Sequence, residues 1–209
     1  MASRADRERA AMVDRLRGRG ISDDRVLDAM RLVPRERFVP RGVAGAAYQD
    51  NPLPIGLDQT ISAPLIVAFS AAAVQAGPDA HVLEIGTGSG YGAAVLSRCH
   101  RSVVTIERHA ELADRARTVL ESLGYDNVEV RTGDGALGVP DRAPFDGIVV
   151  TAMAEDGPPP ALLEQLAPDA ALVCPVGRHG SGTLSRFRNG REENLGAVAF
   201  VPLVTGGAR

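Results

Sequence analysis

Glu84-Ile85-Gly86-Thr87-Gly88-Ser89-Gly90-Tyr91 follows the apolar run His81-Val82-Leu83 and precedes an Ala- and Leu-rich stretch with helical character. The order is strand, glycine-rich turn, helix. Without side chains, the glycines let the backbone approach a ligand closely and adopt turn conformations that other residues resist. The helix that follows aims its N-terminal N–H groups back at the turn. Such a turn suits a nucleotide-like cofactor.

The next two apolar runs strengthen that reading. Ser102-Val103-Val104-Thr105-Ile106-Glu107 ends on an acid about 20 residues past the turn, where a dinucleotide-type site places a carboxylate on ribose hydroxyls. Val128-Glu129-Val130-Arg131 leads into Thr132-Gly133-Asp134-Gly135, an acid between glycines at a strand end. Ligands of open α/β sheets collect at such ends.

Strands and helices alternate from here on. Strands are expected over 81–85, 102–107, 128–132, 145–151 and 171–176, and helices over 65–76, 90–98, 109–123 and 158–167. Alternation of this kind implies a mostly parallel, doubly wound α/β sheet. Two later runs, Thr183–Arg188 and Val198–Val204, with the turn signal Asn189-Gly190 between them, predict an antiparallel edge. Residues 5–39 read as an amphipathic N-terminal helical cap, with Met12, Leu16, Val26, Leu27, Met30 and Val33 at helical spacing. Gly18-Arg19-Gly20 breaks it, and Ser22 or Asp23 can cap its second helix. Residues 48–64, with Pro52, Pro54, Gly56 and Pro64, read as an extended, ordered loop. The chain thus divides into a cap with its loop, 1–64, and a core, 65–209, forming one compact unit.

Composition excludes several classes. The 209 residues are 44% hydrophobic and carry a net charge of −3, with acids and bases interspersed. No basic stripe favours nucleic acid, no long apolar run suggests a membrane span, and the charged N-terminus lacks the apolar core of a signal peptide. A cytoplasmic protein is expected. Every Lys-or-Arg position is Arg, so lysine chemistry is excluded. Cys99 and Cys174 lie in or beside apolar segments, and the four histidines are scattered. No metal-ligand spacing is present.

A second set of residues joins the glycine turn. Pro52-Leu53-Pro54-Ile55-Gly56 leads to Gln59-Thr60-Ile61-Ser62-Ala63-Pro64, and Val33-Pro34-Arg35-Glu36-Arg37-Phe38-Val39-Pro40 lies upstream. Leu123–Val128 and Ala161–Leu166 lie downstream. Together they resemble the protein-L-isoaspartate (D-aspartate) O-methyltransferase family from about Met12 to Leu203. The resemblance implies a Rossmann-like fold that uses S-adenosyl-L-methionine and no metal, and releases S-adenosyl-L-homocysteine. It places Gly86, Gly88 and Gly90 under the methionine part of the cofactor. Glu107 falls on the ribose, Asp134 and Gly135 on the adenine, and Gln59, Thr60 and Ile61 over the sulfonium. Glu84, Thr87 and Arg108 join the cofactor-binding set, and Ser62 matches the active-site serine. The implied substrates are proteins or peptides with isoaspartyl residues, repaired through a methyl ester and succinimide.

The residues suit that chemistry. A carboxylate nucleophile is already ionised at neutral pH, so alignment and desolvation, not a general base, should carry catalysis. A serine hydroxyl can orient the carboxylate with one hydrogen bond. Ser62 could instead cap the helix that begins at Pro64.

Two stretches depart from the family pattern. Gly56-Leu57-Asp58-Gln59 stands where many members read Gly-Tyr-Gly-Gln, so Asp58 adds a negative charge or points to solvent. Thr151-Ala152-Met153-Ala154-Glu155-Asp156-Gly157-Pro158-Pro159-Pro160 is longer and more acidic than usual. These bear on substrate identity and keep open an alternative, methylation of an aspartyl residue in one dedicated biosynthetic peptide. A nicotinamide-dependent dehydrogenase also fits the turn and Glu107, but no proton-donating histidine and tyrosine pair is evident. A non-catalytic cofactor-binding protein is disfavoured by the intact Thr60-Ile61-Ser62 block.

Overall fold

The computed structural model describes residues 3–206. The chain opens with helices α1 (Arg4–Gly18) and α2 (Asp24–Leu32). Ser3 closes a reciprocal capping box with Asp6 at the start of α1, and Asp23 caps α2 by accepting from the Arg25 N–H at 2.9 Å. Two 3-10 turns, Arg35–Phe38 and Arg41–Ala46, follow.

The stretch read as an extended loop contains an antiparallel hairpin, β1 (Leu53–Gly56) with β2 (Gln59–Ile61). Its turn residues, Leu57 and Asp58, both have positive φ, 53° and 56°. A two-residue loop with two positive φ angles is the tight hairpin turn normally signalled by Asn-Gly. Leu-Asp does not carry that signal, although Asp tolerates the conformation better than most residues. Asp58 is exposed at the tip.

Then come α3 (Pro64–Ala73), β3 (His81–Ile85), α4 (Tyr91–Cys99), β4 (Ser102–Glu107), α5 (Ala110–Ser122), β5 (Val128–Thr132), β6 (Phe145–Val150), α6 (Pro160–Leu163), β7 (Leu166–Arg178), β8 (Ser181–Arg188) and β9 (Arg191–Ala199). The seven-stranded sheet has the order β5-β4-β3-β6-β7-β8-β9. Five strands are parallel, and β8 and β9 add the antiparallel edge. The chain reverses direction of travel across the sheet between β4 and β6, on either side of β3, so the crevice for a ligand falls at the C-terminal end of β3.

Three expected boundaries are corrected. The helix expected over 158–167 is one short turn, α6. Proline lacks an N–H and disfavours a helical predecessor, so Pro158-Pro159-Pro160 allows a helix to begin only at the last of them. The strand expected over 171–176 runs from Leu166 to Arg178. The final strand is not Val198–Val204 but Arg191–Ala199, because the Asn189-Gly190 turn sets pairing immediately on both sides (Arg188 opposite Arg191). Its polar start, Arg191-Glu192-Glu193-Asn194, hid it from an apolar reading.

Strand alternation sorts the core into two faces. Leu83, Ile85, Val104, Ile106, Ile148 and Leu172 pack on one side with Leu162. Val82 and Val103 face the other, where α3, α4 and the N-terminal helices lie. Met12, Leu16, Leu27 and Met30 of the cap are 0–2% exposed and belong to that same cluster. Each such side chain contributes about 1.5–3 kcal/mol by leaving water. The cap is therefore built into the core, with Phe38 edge-on to Tyr91 at 5.7 Å between ring centres.

Candidate active site

Where β3 ends, backbone hydrogen bonds tie three strand ends together. The Gly86 N–H donates to the Ile106 carbonyl at 2.9 Å, and the Thr151 N–H donates to the Ile85 carbonyl at 2.9 Å. The Thr151 hydroxyl lies 2.9 Å from both the Ile85 and Gly86 carbonyl oxygens. Gly86 has φ +94°, and a Cβ there would sit 2.3 Å from Thr151 Oγ1. Only glycine fits, and it leaves backbone facing the crevice.

Glu107 closes β4 and is 6% exposed. Its Oε2 accepts from the Gly88 N–H at 2.9 Å and its Oε1 from the His109 N–H at 3.0 Å. One donor belongs to the glycine turn and the other to the N-cap residue of α5, where the helix dipole also favours an anion. A carboxylate oxygen can accept more than one hydrogen bond, so both oxygens retain capacity for a diol.

Glu84 is the companion acid. Alternation turns it onto the same face as Val82, beneath α4, opposite Thr105 in the β3–β4 register. It is 2% exposed. Burial pushes its carboxyl up to about 8; the Thr105 hydroxyl, donating at 2.7 Å, opposes the rise, and the charge of Glu107 adds to it. Thr87 and Thr105 hydroxyls meet at 2.7 Å, extending the network into the turn. Glu84 is therefore a neutral acid over most of the physiological range.

Ser62 follows β2. It is half-buried, and α3 is capped by Ala63 with no side-chain hydrogen bond. The cap role weighed for Ser62 is filled otherwise: Asp50 Oδ1 accepts from the Leu65 N–H at 2.9 Å. No protein partner holds the Ser62 hydroxyl among the described residues, and the residue lines both the cavity beside the glycine turn and an apolar recess next to it.

That cavity encloses about 890 Å³ including its open mouth. Eleven residues singled out from the sequence line it: Gln59, Thr60, Ile61, Ser62, Glu84, Gly86, Thr87, Gly88, Glu107, Arg108 and Gly135. Gly90 does not; it starts α4 at φ +87°, behind the wall. Asp134 does not line it either. Its Oδ1 accepts from the Ala136 N–H at 2.9 Å, and its Oδ2 from the Gly206 N–H at 2.6 Å.

Other lining residues were not singled out. Val67, Ser89, Thr151 and Ala152 line the cavity, as do Val201 to Val204. Thr151 was legible, since it is the first residue past a strand next to the glycine turn. The tail was not. It returns across the sheet through Met153, whose N–H donates to the Val201 carbonyl and whose carbonyl accepts from Leu203, both at 2.7 Å. Arg108 donates to the Val204 and Gly206 carbonyls at 3.1 and 3.2 Å, fastening the tail to the end of β4.

The extra acids of the loop after β6 do not line the cavity. Glu155 and Asp156 are exposed, and Asp156 pairs with Arg178 at 2.6 Å. Among the described residues no cluster of potential metal ligands occurs, and no helix is long and apolar enough to cross a membrane.

The family model for protein-L-isoaspartate(D-aspartate) O-methyltransferase matches residues 7–208. A protein-L-isoaspartate O-methyltransferase of Roseiflexus sp. (strain RS-1) is 50% identical over 205 residues, covering 96% of this chain and 94% of the relative. Another, from Pelobacter propionicus, is 53% identical over 197 residues, covering 91% and 87%. A solved protein-L-isoaspartate O-methyltransferase superposes with TM-score 0.84 at 28% identity, over 96% of this chain and 67% of its own. A Plasmodium falciparum structure in complex with S-adenosyl-L-homocysteine has TM-score 0.80 at 24% identity, over 94% and 98%, and shows the shared fold.

Proposed function

The chain belongs to the protein-L-isoaspartate(D-aspartate) O-methyltransferase family, and on that premise we propose that its cavity transfers a methyl group to the free carboxylate of L-isoaspartyl residues in damaged proteins and peptides. The observation that carries this is one cavity walled at once by the glycine turn, by Glu107 and by Ser62.

The residues fit S-adenosyl-L-methionine. Gly86 leaves a cradle that a Cβ would fill, and Glu107 is held by two N–H groups with acceptor capacity to spare. When bound, the cofactor supplies an electrophilic methyl group on a positively charged sulfur. We assign Glu107 to the ribose hydroxyls, the Gly86–Gly90 turn with Thr87 to the methionine part, and Gly135, Asp134 and Arg108 to the adenine side. Gln59, Thr60 and Ile61 close over the sulfur. Asp134 acts from behind the wall, by holding the 134–137 turn and the tail.

Ser62 donates a hydrogen bond that orients the incoming carboxylate. The hairpin excludes water from it, which raises its reactivity. No residue has to take a proton, because the nucleophile arrives ionised. The resulting ester is the activated form from which a succinimide closes and a normal aspartyl link can return. Repair of proteins in the cytoplasm is the setting this reading proposes.

The test is transfer of a tritiated methyl group to matched isoaspartyl and aspartyl peptides. Preference for the isoaspartyl member is expected. Preference for the aspartyl member would reassign the chain to a dedicated peptide, and activity on neither would remove the proposal.

A further inference from the structure

We infer that Asp50 is a positioning residue for methyl transfer, because it clasps together the two ends of the segment that carries Ser62. This rests on the assignment of Ser62 as the group that orients the carboxylate.

Helix α3 begins at Pro64, which has no N–H, and its N-cap Ala63 offers no side-chain acceptor. The exposed donor of the first turn is the Leu65 N–H. It is satisfied from fifteen residues upstream, by Asp50 Oδ1 at 2.9 Å. The other carboxylate oxygen of Asp50 pairs with Arg19 of the cap. Everything between Asp50 and Leu65 is the active-site segment: hairpin β1–β2 and then Ser62, three residues before the clasp.

The incoming end is fixed as firmly. Arg35, fully buried, donates through Nε to the Ala47 carbonyl at 2.7 Å, and Arg15 donates to the Tyr48 carbonyl at 2.6 Å. The Tyr48 hydroxyl bonds Glu36. The Arg35 guanidinium also lies over the Tyr91 ring, 4.8 Å from its centre, so the cap is keyed to the first residue of α4. The cap thus fixes residues 47–50, and Asp50 transmits that position to residues 62–65.

The sheet side of the site does not depend on this clasp. Gly86 and Thr151 are held by backbone bonds among β3, β4 and β6, and the Glu107 carboxylate by the Gly88 and His109 N–H groups. The hairpin itself stays seated through buried Leu53, Ile55 and Ile61. Loss of the clasp should therefore loosen Ser62 while leaving cofactor binding in place. Small misplacements of an orienting group lower turnover far more than they lower binding.

The experiment measures kcat and KM on an isoaspartyl peptide, and the Kd of S-adenosylhomocysteine, for the wild type, Asp50→Ala, Asp50→Asn and Asp50→Glu. Asp50→Ala should lose about tenfold or more in kcat with the Kd within threefold of wild type. Asp50→Asn should remain within threefold in kcat, since Asn is as good a capping acceptor as Asp. Asp50→Glu keeps the charge but displaces the acceptor by one methylene, and should be slower than Asp50→Asn. If Asp50→Ala does not fold, the Glu and Asn variants decide: Asp50→Glu turning over like wild type overturns the inference. Unchanged kcat in Asp50→Ala overturns it, as does an Asp50→Asn no faster than Asp50→Ala, or a Kd that rises in step with the loss of kcat. A wild type inactive on both peptides overturns the functional reading and this inference together; an active wild type with an indifferent Asp50 overturns this inference alone.

Discussion

Replacing Glu84 with Gln is expected to remove a pH dependence of stability that the wild type carries. The Glu84 carboxyl is raised from 4.5 to about 8, chiefly by burial. Between those values the folded chain holds a proton that the unfolded chain has released, so wild-type stability falls as pH rises. One such proton gives a slope of about 1.4 kcal/mol per pH unit. The slope depends on the count of protons and not on the size of the shift, which makes it a firm quantity to measure. Gln resembles the protonated acid in shape and can still accept from Thr105, now 2.7 Å from Glu84 Oε2, but it does not titrate. The two proteins should have similar stability near pH 5 and differ by about 3 kcal/mol at pH 7 in favour of Gln, with the gap levelling off above about pH 8. Urea unfolding at half-unit pH intervals reads this directly, because all other titrating groups are common to both chains. Parallel stability curves from pH 5 to 8 would show that Glu84 is ionised in the folded protein, and the account of a neutral buried acid would be wrong.

Three further outcomes are expected. Ser62→Ala should lower kcat on an isoaspartyl peptide about tenfold, the worth of one hydrogen bond in the transition state, with S-adenosylhomocysteine affinity nearly unchanged; an unaltered rate removes Ser62 from the mechanism. Gly92→Ala, at a helical position that would ordinarily welcome alanine, should instead destabilise by about 1–3 kcal/mol in urea unfolding, since its Cβ would sit 2.1 Å from Glu84 Oε1; a more stable variant would mean that the carboxyl has room to turn away. Asp134→Ala frees the Ala136 and Gly206 N–H groups and should weaken S-adenosylhomocysteine several-fold by calorimetry; full affinity would sever Asp134 from the cofactor site.

The parallel half of the fold was legible because its determinants are local. Runs 81–85, 102–107 and 128–132 are each bounded by turn residues and match the observed strands to the residue. The misreadings share a different cause. The hairpin at 53–61 is too short and too proline-rich to show alternation, and it forms because Ile55 and Ile61 find the core. Strand β9 is polar and exists because β8 presents an edge to it. In both cases a tertiary partner overrides a weak local preference.

The candidate site divides along the same line. Gly86, Glu84 and Glu107 occupy ends of strands whose register is fixed by alternation, so their convergence follows once the strands are known. Ser62 and the tail at 201–204 reach the cavity by long-range contacts: Asp50, fifteen residues upstream of Leu65, clasps the segment that carries Ser62, and Arg108, at the end of β4, fastens the tail through the Val204 and Gly206 carbonyls. The sequence-legible half suits a cofactor that is chemically the same in every turnover. On the proposed reading, the side of the cavity that carries Ser62 receives the carboxylate of a damaged protein. On the same reading that carboxylate must be placed accurately, and the contacts of Asp50 with Arg19 and Leu65 carry the position of the cap to the segment that holds Ser62.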